Sequence, residues 1–96
     1  MTTQQNSDSN EIEDLEIKTL NAILKGKREK VKKLYGIAEN HFVSGGDFTR
    51  SLLANNFIMP ISQILELNYS WGREYLNLFP PQLKAEYYRQ INSSGL

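Results

Sequence analysis

Ile17, Leu20, Leu24, Val31, Leu34 and Ala38 follow one another at alternating three- and four-residue steps, with Lys27 and His41 the polar members of the same series. Spacing of this kind is nearly heptad and predicts an amphipathic helix with one narrow apolar stripe. Asn10 stands three residues before Glu13, and acidic residues crowd the positions around them, which fits a helix start favoured by its dipole. Gly26 interrupts the stripe. It costs about 1 kcal/mol relative to Ala if the helix continues and makes a ready C-terminal cap if the helix stops. Lys27-Arg28-Glu29 offers no Ser, Thr, Asn or Asp to cap a new helix, so the pattern favours one long helix over residues 10–43, with a bend or break at Gly26 as the alternative.

Ser44-Gly45-Gly46 breaks the pattern, and Asp47 is a good cap for a second helix over residues 48–57 carrying Phe48, Leu52, Leu53 and Phe57. Pro60 disfavours helical backbone at Met59 and suits the first turn of the element after it. Ile61, Ile64, Leu65, Tyr75, Leu76 and Phe79 then share a helical face that also includes Asn68 and Gly72, and Leu67, Trp71 and Leu78 line the neighbouring face. A helix apolar over so wide an arc belongs at the centre of a core, and Gly72 would let another helix approach closely. Pro80-Pro81 ends it and opens a last helix over residues 82–91 with Leu83, Tyr87, Tyr88 and Ile91 as its apolar contacts. Period-two alternation is nowhere sustained. The expected fold is all-α, a small helical bundle of about four helices, its long first helix packed on the helix of residues 61–79.

Residues 1–9 are polar and read as a flexible tail, residues 10–92 as a single helical domain, and residues 93–96 as a short C-terminal tail. With no run of 18 apolar residues and no basic-then-apolar leader, the chain is expected to be intracellular, cytoplasmic or nuclear, and not membrane-bound. It has no cysteine, so thiolate chemistry and disulfides are excluded.

Charge changes the picture more than composition does. The 11 basic and 11 acidic residues cancel, yet six of the nine residues 25–33 are basic and five of the nine residues 8–16 are acidic. Helix initiation accounts for the acidic block. The basic block, Lys25, Lys27, Arg28, Lys30, Lys32 and Lys33, falls in the middle of a continuous helix, where it is either a solvated face paired with Glu29 or a surface that meets phosphate or another protein. Two copies of the first helix packed antiparallel would set the acidic end of one near the basic stretch of the other. His41 is the sole histidine, and no triad or metal-type spacing is legible around it, so neither a catalytic residue nor a metal or cofactor is expected.

Leu34-Tyr35 through Phe42, followed by Gly46-Asp47-Phe48 and Ser51, resembles the helix-turn-helix of a single tetratricopeptide repeat. Glu39, Asn55 and Gln63 depart from that pattern, and no second copy follows. The resemblance implies a helical hairpin turning at residues 44–47, a unit commonly used for protein binding. The expected function is therefore non-enzymatic: an interaction or dimerisation module, such as an adaptor, complex subunit or chaperone-like factor. Its expected contacts are Leu20, Leu24, Val31 and Leu34 on the stripe, and Tyr69 with Arg73 on the third helix. The partner is another protein or a second copy of the chain. The alternative is a nucleic-acid-associated protein that uses the basic block for phosphate contacts.

Overall fold

The computed structural model describes residues 3–94, and the surroundings of side chains 9–92. All its regular structure is helical: α1 (Thr3–Leu24), α2 (Arg28–Ser44), α3 (Asp47–Leu53), a π-helical turn (Ala54–Ile58), α4 (Met59–Leu67), α5 (Tyr69–Asn77) and α6 (Pro81–Ser94). The π turn joins α3 to α4 without leaving helical backbone, so the chain forms five rods with no strand among the described residues. The shortest dimension of the molecule, 20 Å, is two helix diameters, which makes it a two-layered bundle.

The long first helix is corrected. Gly26 adopts φ +69, its N–H donates to the Ile23 carbonyl at 3.0 Å, and the Lys27 N–H donates to the Ala22 carbonyl at 2.9 Å. These two bonds form a Schellman stop, which satisfies the last carbonyls of α1 through backbone alone and needs no capping side chain. The chain folds back, and α2 packs along α1 rather than extending it.

A stop also resets the helical phase. Ile12, Leu15, Thr19, Ala22 and Ile23 form the buried face of α1, while Ile17 and Leu24 point outward. Val31, Leu34 and Ala38 of the stripe are buried on α2 together with Tyr35, which the stripe did not include, and α1, α3 and α6 cover them. The expected start at Asn10 lies inside α1, because residues 3–9 contain no glycine or proline to stop the helix. Met1, Thr2, Gly95 and Leu96, the outer parts of the two expected tails, lie outside the described residues.

Two further boundaries differ. Pro60 does not separate two helices, and Met59 keeps helical backbone, with φ −62 and ψ −53. Proline removes the N–H that would reach back four residues and crowds that carbonyl. The rod widens into the π turn just ahead of it, with the Met59 N–H reaching Ala54. Burial of Phe57, Ile58 and Ile61 along one rod rewards this continuity. The expected helix of residues 61–79 is instead broken at Asn68, with φ −120 and ψ 49, whose side-chain amide donates to the Ile64 carbonyl at 2.9 Å. There α5 turns back on α4, and Gly72 lies so close that an added Cβ would stand 2.2 Å from the Leu65 carbonyl oxygen.

The core centres on Tyr35, whose ring meets Phe79 at 4.8 Å and Phe57 at 6.4 Å between centroids. Its hydroxyl donates to the Tyr75 carbonyl at 3.1 Å, near the end of α5, and burial pushes its pKa well above the usual tyrosine range. Glu39 of α2 accepts the N–H groups of Gln82 and Leu83 at 3.1 and 3.0 Å, capping α6 from another helix. Proline at position 81 has no N–H to satisfy, so this carboxylate completes the first turn of α6 and sets its dipole against a negative charge.

Candidate docking face

At the elbow between α1 and α2 the basic block becomes a cluster in space. Lys25 and Lys27 lie beside the carbonyl end of α1, where the dipole favours cations. Arg28 and Lys30 occupy the first turn of α2, and Lys32 and Lys33 follow. That end of a helix repels positive charge, and Glu29 is the one acid in the turn. Helix stability therefore accounts for Lys25 and Lys27 and counts against Arg28 and Lys30, while Lys32 and Lys33 lie beyond the first turn, where the dipole has faded.

Arg28 pairs with Glu74 of α5 at 3.2 Å, and Lys32 approaches Glu29 at 3.9 Å. Both pairs are half exposed and contribute at most about 1 kcal/mol. Lys25, Lys27, Lys30 and Lys33 have no ion pair among the described residues.

The Arg28–Glu74 contact sets the elbow beside α5 and opens a groove of about 590 Å³, lined by Arg28, Ser70, Trp71, Arg73, Glu74, Asn77 and Leu78. Trp71 is the sole tryptophan, 39% exposed, and stands edge-on to Tyr75 at 6.4 Å. Tyr69 and Leu67, just before it, are exposed as well.

Leu24 lies toward the same end of the molecule. Ile12 and Thr49 line one recess, and Glu13 and Glu16 line the next with Asn55, Asn56 and Pro60. Hence α1 runs parallel to the rod that ends at Leu67, and the carboxyl ends of both point the same way.

Of the residues expected to make contacts, Leu24, Tyr69 and Arg73 are exposed and Leu20 is half-buried against the core. Val31 and Leu34 are held in the chain's own interior by the α1–α2 hairpin. Trp71 was read as a core-facing residue and proves to line the groove, since the break at Asn68 turns α5 outward.

A recess of about 670 Å³ lies at residues 42–59 and 86–90 and carries the pairs Asp47–Arg50 at 3.3 Å and Glu86–Arg89 at 2.7 Å. Its charges balance, and Gln90 closes one wall by donating at 2.9 Å to the Ala54 carbonyl, which also accepts the Met59 N–H of the π turn. His41 meets Glu11 at 3.4 Å. Among the described residues no group of three His, Cys, Asp or Glu could hold a metal ion. Tyr87 donates a short hydrogen bond to Glu66; burial first, and that bond second, raise its pKa far above the ordinary value.

A small all-helical domain with a cationic elbow beside an exposed aromatic groove is the class that fold and face define. The chain belongs to the DUF7674 family, described as a domain of unknown function, whose model it matches over residues 3–93. No curated protein and no solved structure matches it.

Proposed function

We propose that the chain is a non-enzymatic protein-interaction module that receives an acidic, partly apolar segment of a partner protein on the groove between the start of α2 and α5. One observation carries the reading: an exposed tryptophan shares the groove with Arg28 and Arg73, beside an elbow whose lysines 25, 27, 30 and 33 have no ion pair among the described residues and whose Arg28 and Lys30 stand against the dipole of α2. Trp and Arg are the side chains most enriched among binding hot spots, and surrounding cations speed encounter with an acidic partner. Val31 and Leu34 contribute by holding the elbow in place. An intracellular setting, cytoplasmic or nuclear, belongs to the same proposal, and among the described residues no helix is long and apolar enough to cross a membrane.

Single-stranded nucleic acid is the second reading. The observation in its favour is again Trp71 with Tyr69, since exposed aromatics beside a cationic groove stack bases while lysines neutralise phosphates. Anisotropy titrations separate the two, using a labelled Asp/Glu-rich peptide containing phenylalanine and a labelled oligonucleotide. The peptide is expected to bind, with affinity falling about tenfold or more on Trp71→Ala or Arg73→Glu. Binding of the oligonucleotide alone, with a steep salt dependence, selects the second reading. Failure of both probes, or variants that bind as the native chain does, defeats the groove as a site.

A further inference from the structure

Among the described residues nothing packs on the outward face of α1. Ile12, Leu15, Thr19, Ala22 and Ile23 face the core, and at about 100° per residue Ile17 and Leu24 fall on the opposite side. They are 50% and 68% exposed, with exposed Asn21 between them and half-buried Leu20 at the edge. Glu13 and Asp14 precede this strip, and Lys25 and Lys27 follow it. Because α1 begins at Thr3, the two acids sit well inside the helix, so its initiation no longer explains them.

We propose that this face is covered by α1 of a second copy of the chain, packed antiparallel across a two-fold axis. The order of charges along the strip is the argument. An axis passing between Leu20 and Asn21 lies 3.5 residues from both Ile17 and Leu24, about 5 Å of helix each way, so each Ile17 meets the Leu24 of the other copy. The same operation brings Glu13 and Asp14 of one copy toward Lys25 and Lys27 of the other, twice. A parallel pairing would set like charges together instead. Asn21 lies near the axis beside its counterpart, and a polar residue in such a seam pins the register. The existing Asp14–Lys18 pair, 3.0 Å long with both side chains about 60% exposed, is a weak surface contact that can exchange. An interface of this kind is isologous and closes on itself, and a single helix face stands at the low end of specific interfaces, below about 1,200 Å² in total. The dimer is therefore weak, reversible and sensitive to salt.

The inference rests on the protein-interaction reading and shares Lys25 and Lys27 with the cationic elbow, but its apolar residues, Ile17 and Leu24, lie outside the aromatic groove. Sedimentation of the full chain over a concentration series reaching hundreds of micromolar tests it. A reversible monomer–dimer equilibrium that weakens with added salt is expected. Leu24→Glu should raise its dissociation constant about tenfold or more while leaving the helical spectrum and melting temperature unchanged, since Leu24 is exposed. Reversing Glu13 and Asp14 to lysine should weaken association, and reversing Lys25 and Lys27 to glutamate in the same chain should restore it. A monomer at every concentration, a dimer indifferent to Leu24→Glu, or no rescue by the double reversal would overturn the inference. Acidic-peptide binding measured on Leu24→Glu keeps the two proposals apart: a monomer that still binds the peptide sinks only the dimer, and a dimer that binds none sinks only the groove.

Discussion

Gly72→Ala probes the feature on which both the fold and the groove depend, the reversal of α5 on α4. The added Cβ would stand 2.2 Å from the Leu65 carbonyl oxygen and 2.8 Å from Leu65 C and Cα. Those are backbone atoms of another helix, so no rotamer change relieves the clash and the two helices must separate. Overpacking typically costs 1–3 kcal/mol, and an obstacle of fixed backbone puts this site at or above about 3 kcal/mol. Alanine returns about 1 kcal/mol as the better helix former. A net loss of about 2 kcal/mol corresponds, at about 4–8 °C per kcal/mol in a domain of this size, to a melting temperature lower by about 8–16 °C. Gly36→Ala is the control: it lies within α2, a Cβ there meets nothing within 4 Å, and stability should rise by about 0.5–1 kcal/mol. Thermal and urea unfolding followed by circular dichroism measure both. Equal stability of Gly72→Ala and the native chain would refute the close α4–α5 contact.

Gly26→Ala should cost about 1–2 kcal/mol in the same unfolding assays, because its φ of +69 is the left-handed region that L side chains avoid, and a neutral result would mean that α1 does not stop there. Glu39→Ala leaves the Gln82 and Leu83 N–H groups without their acceptor, with an expected loss of about 1–2 kcal/mol and faster amide exchange at those two positions. Burial, and then the nearby Glu13, raise the pKa of Glu16 above its ordinary value of 4.5. The stability that its neutral form contributes is complete below that value and is lost as pH rises through the folded-state pKa. Glu16→Gln should accordingly melt higher than the native chain at pH 7, with the difference vanishing in acid.

Periodicity in the sequence revealed the buried positions where each helix is judged by itself: Val31, Leu34 and Ala38 on α2, Leu53 and Phe57 ahead of Pro60, Ile61 and Leu65 on α4, Leu83 and Tyr87 on α6. It failed where one phase was carried across a stop. Gly26 ends α1 through its own backbone geometry, and Lys27 starts α2 without a side-chain cap, so the usual polar signal is missing. Ile17 and Leu24 consequently fall on one expected stripe with Val31, Leu34 and Ala38, although Ile12, Leu15, Thr19, Ala22 and Ile23 carry an equally regular spacing and form the buried face. A close approach at Gly72 is expected from the sequence, but from another helix; that it comes from Leu65, in the same expected helix, depends on the chain breaking at Asn68, an ordinary turn residue in sequence. The cations of the elbow were legible as a run of charge. The meeting of Arg28 with Trp71 in one groove was not, since it needs both breaks at once.

The central claim is that the cations at the start of α2 are kept for binding at the expense of helix stability. Lys30→Glu, scored for melting temperature and for affinity toward the acidic peptide on the same sample, tests it most directly. Replacing a cation with an anion in the first turn should stabilise the helix by about 0.3–1 kcal/mol. The account predicts a higher melting temperature together with weakened peptide binding. A variant that melts lower, or one that binds the peptide as tightly as the native chain, would contradict it.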